Sequence, residues 1–465
     1  MARTFFDRIW DAHVVTELGG GWVLLHIDRH LLHDLSGGPA LADLASRGLT
    51  VSRPDLCFAT PDHAVSSAPG RNGETYTDGA KLYATLRDRT RDAGIAFFDL
   101  GRRGQGIVHV MAPELGITLP GTTMVCGDSH TCTNGGLGAL AFGIGSSEVV
   151  HVLATQTLRQ QKPRQMRITY DGHIPFGVTV KDVALHVIGA LGAAAGVGHA
   201  IEHAGPGIAS MPVEGRLTLC NLSVELGAKM AFCAPDQATA DYVFGRPLAP
   251  VGDAWEMAVR DWAALRTDDD ARFDKEARFD MAAVPPTITW GTSPEHTAAV
   301  DGVVPDPRAA SNAATRDAWQ DALDYMGLRP GQALRGTPVD WVFIGSCANS
   351  RLSDLRDAAR VIRGRHVSPG VQAWVVPGSV EVSDAAESEG LPSLFRAAGF
   401  QWREPGCSMC VAANGEIVPP GQRSVSTSNR NFVGRQGPGA RTHLASPATA
   451  AASALAGAIA DVREY

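Results

Sequence analysis

The chain repeats one local pattern, in which a short apolar run is followed by a loop containing Gly, Ser or Asp and then by an Ala-rich amphipathic segment. This pattern predicts strands at Thr122–Cys126, Trp341–Ile344 and Gln372–Val376, and helices at Leu137–Leu158 and Ser353–Arg363. Strand–loop–helix units form parallel sheets covered by helices, and ligands bind in the loops beyond the carboxyl ends of the strands. The sequence therefore predicts an α/β fold with mainly parallel sheets.

The chain is too long for one ordinary hydrophobic core. Its 465 residues are enough for about three domains of ~150 residues each. Weak boundaries fall at the polar stretch 160–167 and at the proline-rich stretch 300–307. The charged segment 267–280 is predicted to be a solvated helix or a surface loop. The predicted domains are residues 1–163, 164–300 and 301–465.

The net charge of −8 at pH 7 argues against broad nucleic-acid binding, which needs a basic surface. A local group of arginines can still bind an anionic substrate. The N-terminal segment carries charges throughout and does not resemble a secretory signal, and no stretch is apolar enough to span a bilayer. We therefore expect a cytoplasmic protein whose eight cysteines are thiols or metal ligands rather than disulfides.

Three cysteines occur in glycine-containing turns. Cys347 lies in GSCANSR directly after a predicted strand, and Cys407 and Cys410 form the CxxC of PGCSMC. Three thiolates can hold a cubane cluster and leave one iron without a protein ligand, which is the open position that a catalytic metal needs. Taken without further context, a structural zinc site, a redox dithiol and a chance arrangement all remain open.

The ordered motifs of the chain resemble those of the aconitase superfamily. From the N-terminus they are FATPDHAV, GIVHVMAPE, VCGDSHT, LCNLSVELGAK, GSCANSR, PGCSMC and STSNRNFVGRQ. IDRH and YMGLRPG are similar to the isopropylmalate dehydratase branch. The resemblance implies three α/β/α domains around a [4Fe-4S] cluster held by Cys347, Cys407 and Cys410, with one iron not ligated by protein. It also implies that the swivel domain of full-length aconitases is a separate small subunit here.

The same resemblance implies roles for residues outside the cysteine motifs. A carboxylate beside an imidazole favours its protonated form, which suits protonation of a departing hydroxyl, whereas arginine pairs bidentately with a carboxylate. Asp–His neighbours can also serve only to satisfy backbone groups in a loop. The implied catalytic residues are Asp62, His63, His109, Asp128, His130 and Glu225. The implied substrate-binding residues are Ser129, Asn429, Arg430 and Arg435.

The activity implied by the resemblance is the isomerisation of 2-isopropylmalate to 3-isopropylmalate by dehydration and rehydration, a step of leucine biosynthesis. The expected ligand is a small dicarboxylic hydroxy acid. Ala348, Asn134 and Leu115 depart from the usual residues of the branch near the expected cavity, so a hydro-lyase for citramalate, homocitrate or another 2-substituted malate remains an alternative. A cluster-free or zinc-bound scaffold and an RNA-binding protein of the aconitase type are the remaining alternatives.

Overall fold

The computed structural model describes residues 2–465. The strands are β1 Val14–Gly19, β2 Trp22–His26, β3 Arg29–Leu32, β4 Cys57–Ala59, β5 Ala96–Phe97, β6 Thr123–Cys126, β7 Leu140–Gly143, β8 Thr157–Gln161, β9 Arg164–Asp171, β10 His199–Ala204, β11 Met230–Cys233, β12 Lys275–Asp280, β13 Thr287–Thr289, β14 Thr297–Ala299, β15 Trp341–Ile344, β16 Gln372–Val375, β17 Gln401–Trp402, β18 Arg423–Ser426 and β19 Arg441–Leu444. The helices are α1 Phe5–His13, α2 Gly37–Ser46, α3 Thr77–Ala93, α4 Val108–Glu114, α5 Ser146–Thr155, α6 Val180–Leu191, α7 Pro206–Ala209, α8 Val213–Leu222, α9 Gln237–Val243, α10 Asp253–Ala264, α11 Ala313–Met326, α12 Leu352–Ile362, α13 Val380–Ser388, α14 Leu391–Ala397 and α15 Pro447–Ala456.

Three parallel sheets organise these elements. The first has the strand order β5–β4–β3–β6–β7, the second β11–β10–β9–β12 and the third β17–β16–β15–β18–β19. The strands β6 and β15, inside the first and third sheets, are short, apolar and largely buried, as expected for strands covered on both faces. The predicted α/β class with mainly parallel sheets is confirmed. Two small antiparallel sheets, β1–β2–β8 and β13–β14, complete the set.

Each parallel sheet lies within one of the three predicted domain ranges, but the cores do not stop at the predicted boundaries. Ile288 and Trp290 pack into the core of the third sheet, as do Ile107, which precedes α4, and Val110 of α4. Phe232 of β11 packs into the core of the first sheet. The domain boundaries at 163/164 and 300/301 therefore stay a prediction.

Two predicted elements are wrong. The single helix predicted for Leu137–Leu158 is instead the strand β7, the helix α5 and the start of β8. Gly143 and Gly145 break the apolar run, and a Cβ atom on Gly143 would lie 2.6 Å from the carbonyl oxygen of Asp128. A short apolar run between glycines fits a buried strand and a helix equally well by periodicity, and pairing with β6 selects the strand.

The second error concerns part of the charged segment 267–280, for which we predict a solvated helix or a surface loop: residues 267–274 form a loop, but the remainder does not. Lys275–Asp280 forms β12, an edge strand that pairs in parallel with β9. Its side chains are mostly exposed. Charged side chains are usual on edge strands, because they discourage pairing with another chain. The backbone partner, rather than an apolar pattern, therefore makes this segment a strand.

The carboxyl ends of several strands lead to one region of the molecule. The chain passes from β4 to Asp62, from β6 to Asp128, from β15 to Cys347 and from β18 to Asn429. The 3₁₀ turn Ser223–Leu226 follows α8 of the second sheet and adds to the same region. In the described part of the chain, no helix is both long and apolar enough to cross a membrane.

Candidate active site

The three predicted cluster cysteines line one cavity. Cys347 lies in the loop after β15, and Cys407 and Cys410 lie at the 3₁₀ turn Ser408–Cys410. All three thiols are free and buried. The other predicted site residues that line this cavity are His63, His109, Asp128, His130, Asn429 and Arg435. The fold thus brings the predicted thiols and most of the predicted acid–base residues together.

The backbone beside these cysteines is held in an uncommon conformation. Among the residues that the structure describes, four non-glycine residues have a positive φ, and three of them flank the cysteines: Ser346 at 83°, Ser408 at 50° and Ala412 at 58°. The hydroxyl of Ser346 donates to the carbonyl oxygen of Thr427 at 3.1 Å, and that of Ser408 to the carboxylate of Glu416 at 2.6 Å. Such strain persists only where surrounding contacts impose it, and it concentrates at functional sites.

Side-chain amides surround the thiols. Asn221 Nδ2 lies 3.2 Å from Cys347 Sγ, and Asn429 Nδ2 lies 3.5 Å from the same sulfur. Burial raises the pKa of the Cys347 thiol to about 12 and that of Cys407 well above its ordinary value. A metal displaces the proton of a buried thiol, and N–H groups directed at the sulfur then stabilise the thiolate. The donor set therefore fits an iron–sulfur cluster.

Asp62 and His63 are linked to both the acid–base group and the cysteine loop. His63 Nδ1 lies 2.5 Å from Asp62 Oδ1, and His63 Nε2 lies 3.2 Å from Asp128 Oδ2. The second oxygen of Asp62 accepts the backbone N–H of Val108 at 3.0 Å, and its carbonyl oxygen accepts the N–H of Cys407 at 2.9 Å. Asp62 therefore positions His63, the start of α4 and the cysteine loop together.

Three imidazoles surround the carboxylate of Asp128. Besides His63, His109 Nε2 lies 3.4 Å and His130 Nδ1 lies 3.6 Å from Asp128 Oδ1. The His109 contact does not meet hydrogen-bond geometry, so this buried nitrogen has no partner in the described residues. Burial alone would raise the pKa of Asp128, but its contacts with the imidazoles of His109, His130 and His63 hold that pKa well below its ordinary value. Asp128 is therefore ionised and shared among the three rings.

Glu225 connects the acid–base group to the arginine loop. Its Oε1 lies 3.1 Å from His130 Nε2 and accepts a hydrogen bond of 2.8 Å from Arg430 Nε. Burial would raise the pKa of Glu225, but the contacts with His130 and Arg430 lower it. Arg435, in the same loop, lines the cavity, and its Nε has no hydrogen-bond partner among the described residues. Arg435 thus belongs to the cavity lining, whereas Arg430 does not line the cavity and is oriented by Glu225.

Four predicted site residues do not line the cavity: Asp62 and Glu225 contact residues that do, Arg430 pairs with Glu225, and Ser129 lies to one side. It begins the 3₁₀ turn Ser129–Leu137 directly after Asp128, it is exposed, and it does not line the cavity. Its role in substrate binding stays a prediction.

Three further residues support the site and were not predicted from the sequence. Asn221 lies within the LCNLSVELGAK motif, which was the available signal. Lys181 is fully buried and donates to the carbonyl oxygens of Thr427 and Ser428, at 3.0 and 2.7 Å. Glu416 accepts hydrogen bonds from the hydroxyls of Ser67 and Ser408. No local pattern marks Lys181 or Glu416, because their partners are distant in the sequence.

A second group of potential metal ligands adjoins the site. One ligand atom from each of His33, Asp34, Asp62 and His63 lies within 4.8 Å of the others. However, the two oxygens of Asp34 accept the backbone N–H groups of His63 and Ala64, at 3.1 and 2.7 Å. The oxygens of Asp62 are likewise occupied. We interpret this group as a hydrogen-bonded support for the His63 loop rather than as an ion site.

Comparison with known proteins agrees with this arrangement. The profile of the aconitase family (aconitate hydratase) matches residues 7–457. The 3-isopropylmalate dehydratase large subunit 1 of Bradyrhizobium diazoefficiens is 65% identical over 461 residues, which cover 99% of this chain and 96% of that protein. The crystal structure of holo-form aconitase X from Thermococcus kodakaraensis is 11% identical, with a TM-score of 0.47 over 88% of this chain and 84% of that chain. On the extent of the family match and of this identity, the chain belongs to the aconitase family.

Proposed function

We propose that this chain is the large subunit of a [4Fe-4S] hydro-lyase that isomerises 2-isopropylmalate to 3-isopropylmalate by dehydration and rehydration, in leucine biosynthesis. The observation that carries the proposal is the convergence of three buried thiols and the imidazoles around Asp128 on one cavity. The substrate is supported by the relative of 65% identity, which is named a 3-isopropylmalate dehydratase large subunit.

Membership of the aconitase family implies an iron–sulfur cluster. The [4Fe-4S] form with one iron free of protein ligands is our proposal, in which Cys347, Cys407 and Cys410 hold the other three irons. When bound, such a cluster supplies a Lewis acid for the hydroxyl group that leaves the substrate. Asn221 and Asn429 keep their amide N–H groups near the sulfur of Cys347.

His63 is the proposed proton donor to the departing hydroxyl. Burial opposes the charged imidazole, but the charge of Asp62 and the contact with Asp128 raise the pKa of His63 well above 6.5. The ring therefore holds a proton on both nitrogens near neutral pH; it lines the cavity, and its Nε2 faces Asp128. Burial instead lowers the pKa of His109, so its ring is neutral, and because Nδ1 faces the amide nitrogen of Asn134, the unpartnered Nε2 carries the proton and can donate a hydrogen bond.

Arg430 and Arg435 are the proposed carboxylate-binding residues. Glu225 occupies Arg430 Nε and leaves the terminal nitrogens of the guanidinium for a substrate carboxylate. Arg435 contributes its side chain to the cavity lining. Two planar guanidinium groups on one loop suit a dicarboxylic acid, because each can pair with a carboxylate through two parallel hydrogen bonds.

Removal of the hydrogen on carbon requires a base, and we propose that a separate small subunit supplies it. The relative is named a large subunit, which implies such a partner. The imidazoles of the cavity pair with Asp128 and Glu225. We therefore assign them to the protonation of the departing hydroxyl rather than to the removal of hydrogen from carbon. The cavity side chains and those of the small subunit would then act on opposite sides of the substrate.

The three departures from the branch pattern do not favour another substrate. Ala348, Asn134 and Leu115 are buried, and none of them lines the cavity in the described residues. Asn134 lies behind His109, with Nδ2 3.5 Å from its Nδ1, and its Oδ1 accepts a hydrogen bond from Thr118. Their influence on the substrate is therefore indirect.

The first prediction tests the cluster. Cys347→Ser, Cys407→Ser and Cys410→Ser should each lower bound iron and sulfide and abolish activity, because a serine hydroxyl is a poor cluster ligand. Iron, sulfide and zinc are measured on anaerobically purified protein. Cys57→Ser is the matched control, since its buried thiol lies on β4 and donates to the carbonyl oxygen of Arg53. Full iron content in all three cavity variants would contradict the assignment.

The substrate is tested separately. The chain is purified with its small subunit, and kcat/KM is compared for 2-isopropylmalate, citramalate, homocitrate and citrate. We expect isopropylmalate to be the best substrate by at least about tenfold, because one methylene group changes discrimination by roughly 10–200-fold. If another of these acids is the best substrate, the proposed reaction class stands and the proposed substrate is wrong.

A further inference from the structure

We propose that Ile107 and Val411 form the wall that receives the alkyl substituent of the substrate and so determine which 2-alkylmalates are accepted. This inference rests on the proposed function and names the part of the cavity that sets its substrate class.

The lining of the cavity is mostly polar. Nine of its eleven lining residues carry thiol, imidazole, carboxylate, amide or guanidinium groups. In the described part of the chain, Ile107 and Val411 are the aliphatic members of the lining. The thiols are assigned to the cluster, the imidazoles to proton transfer and the arginines to carboxylates. An alkyl group is poorly accommodated against polar or charged groups that lose water, so these two side chains are its natural contact.

Ile107 is rigidly placed. It precedes α4, its N–H donates to the carbonyl oxygen of Gly378 at 2.7 Å, and its own carbonyl oxygen accepts the N–H groups of Val110 and Met111. Its side chain is 1% exposed and packs in the core that contains Cys347 and Cys407. Because Ile107 lies two residues before His109, the same helix start places an apolar side chain and an imidazole at one cavity.

Val411 forms the second part of the proposed apolar wall. It follows Cys410 directly and precedes Ala412, whose φ of 58° turns the chain. Unlike Met409 and Cys410, Val411 is not part of a buried apolar cluster, and it is only half-buried. A valine that lines a cavity without being enclosed by the core leaves apolar surface for a ligand. The two residues come from different loops, so together they can contact two sides of a branched substituent.

The expected effect follows from the size of the contact. Removal of one or two carbons from an apolar pocket changes discrimination between homologous substrates by roughly 10–200-fold. For Val411→Ala we therefore expect the ratio of kcat/KM for 2-isopropylmalate to that for citramalate to fall about tenfold, because the longer substituent loses more contact. Ile107→Val, which removes one carbon from a rigid site and preserves the β-branch, should lower the same ratio in the same direction.

The experiment uses the complex of this chain with its small subunit and measures kcat/KM for malates with methyl, ethyl and isopropyl substituents. Val251→Ala is the matched control, because Val251 is 77% exposed and lies outside the cavity. Calorimetric binding of 2-methylsuccinate and 2-isopropylsuccinate gives a readout that does not depend on turnover, and Val411→Ala should weaken binding of the isopropyl compound more. Iron content confirms that the cluster is equally loaded in each protein.

The outcomes separate this inference from the proposed function. A wild-type complex that is active on isopropylmalate, with Val411→Ala and Ile107→Val ratios equal to that of Val251→Ala, would overturn the inference alone. Equal losses for all substituents would also overturn it, because they would indicate a structural role. A fully loaded wild-type complex that turns over none of the alkylmalates would overturn the proposed function, and with it the substrate on which the inference depends.

Discussion

Asp128 is the residue on which the acid–base group of the cavity depends. One carboxylate lies within 3.2 to 3.6 Å of ring nitrogens from His63, His109 and His130. His63 and His109 nevertheless differ in charge. Asp62 gives His63 a second carboxylate, which raises its pKa, whereas burial is the largest influence on the pKa of His109 and lowers it. A shared anion with unequal partners therefore leaves one imidazole protonated and another neutral.

Arg430 gives a prediction about substrate binding. Lysine at this position retains the charge but loses the planar fork and the hydrogen bond from Nε to Glu225. We expect Arg430→Lys to lower kcat/KM on the order of 10²-fold, about 3 kcal/mol of transition-state stabilisation. The control is Arg272→Lys, at an exposed position. A loss below about threefold with normal iron content would show that this arginine does not bind a substrate carboxylate.

Glu202 on β10 gives a prediction about pH and stability. Burial raises the pKa of Glu202 from 4.5 to about 7, and Thr267 donates a 2.7 Å hydrogen bond to its carboxyl group. The folded protein therefore holds a proton that the unfolded chain has already released, so stability falls as pH rises from about 4.5 to 7. Glu202→Gln should remove this fall in the free energy of unfolding, which is on the order of 3 kcal/mol.

The measurement is the melting temperature of both proteins at about pH 5 and about pH 8, chosen to bracket the two pKa values. The variant should melt near the wild type at the lower pH and above it at the higher pH. Parallel pH profiles for the two proteins would mean that Glu202 is not protonated in the fold.

Helix α6 is the element that supports the arginine loop from outside the cavity. Its first turn carries Lys181, whose ammonium group reaches the carbonyl oxygens of Thr427 and Ser428, immediately before Asn429. The same turn is closed by a capping box between Thr179 and Asp182. The second and third sheets are thereby joined at the loop that also carries Arg430 and Arg435.

Lys181→Met tests this support. The variant keeps the apolar stem but leaves the buried carbonyl oxygen of Ser428 without a donor, which costs about 1–3 kcal/mol, and leaves that of Thr427 with only the Ser346 hydroxyl. We expect a lower melting temperature and a raised KM, because the loop that carries the proposed substrate-binding arginines loses its support. Lys275→Met is a close control, since Lys275 is exposed and its Nζ also donates to one carbonyl oxygen, that of Ala195. Equal behaviour of the two variants would contradict the supporting role.

Across the whole molecule, the site exists only where the three parallel sheets meet. Asn221 of α8 contacts Cys347 after β15, and Glu225 pairs with Arg430, 205 residues away. The N–H of Cys407 donates to the carbonyl oxygen of Asp62, which follows β4. Each of these contacts joins residues that follow elements of two different sheets, so the thiols and the acid–base residues are held by the docking of the sheets on one another.

The prediction for the whole molecule concerns the partner. The purified chain with a full cluster should be inactive on 2-isopropylmalate, because the proposed base on carbon belongs to the small subunit. Addition of the small subunit should restore turnover in a saturable way, while iron content stays constant. Appreciable activity of the rigorously purified single chain would contradict the division of labour between the two proteins.

Much of the fold and of the site was predictable because the signals are local. β15, α12 and β16 lie within one residue of their predicted ends, since apolar runs and polar turns encode them in neighbouring residues. The thiols and imidazoles occur in short ordered motifs, and nine of the thirteen predicted site residues line the cavity. The prediction of a helix over Leu137–Leu158 was wrong because its apolar run does not by itself favour helix over strand. Pairing with β6 makes part of it a strand.

The order of amino acids thus identifies the α/β class, the family motifs and the chemical groups of the site, because each of these depends on residues close together in the chain. Which groups touch depends on packing between sheets. Lys181 beneath the arginine loop, Glu225 between His130 and Arg430, and the apolar pair Ile107 and Val411 have no local signature. Each gains its role from a neighbour supplied by a distant segment, and the free energy that holds them there comes from burying the shared cores rather than from any one motif.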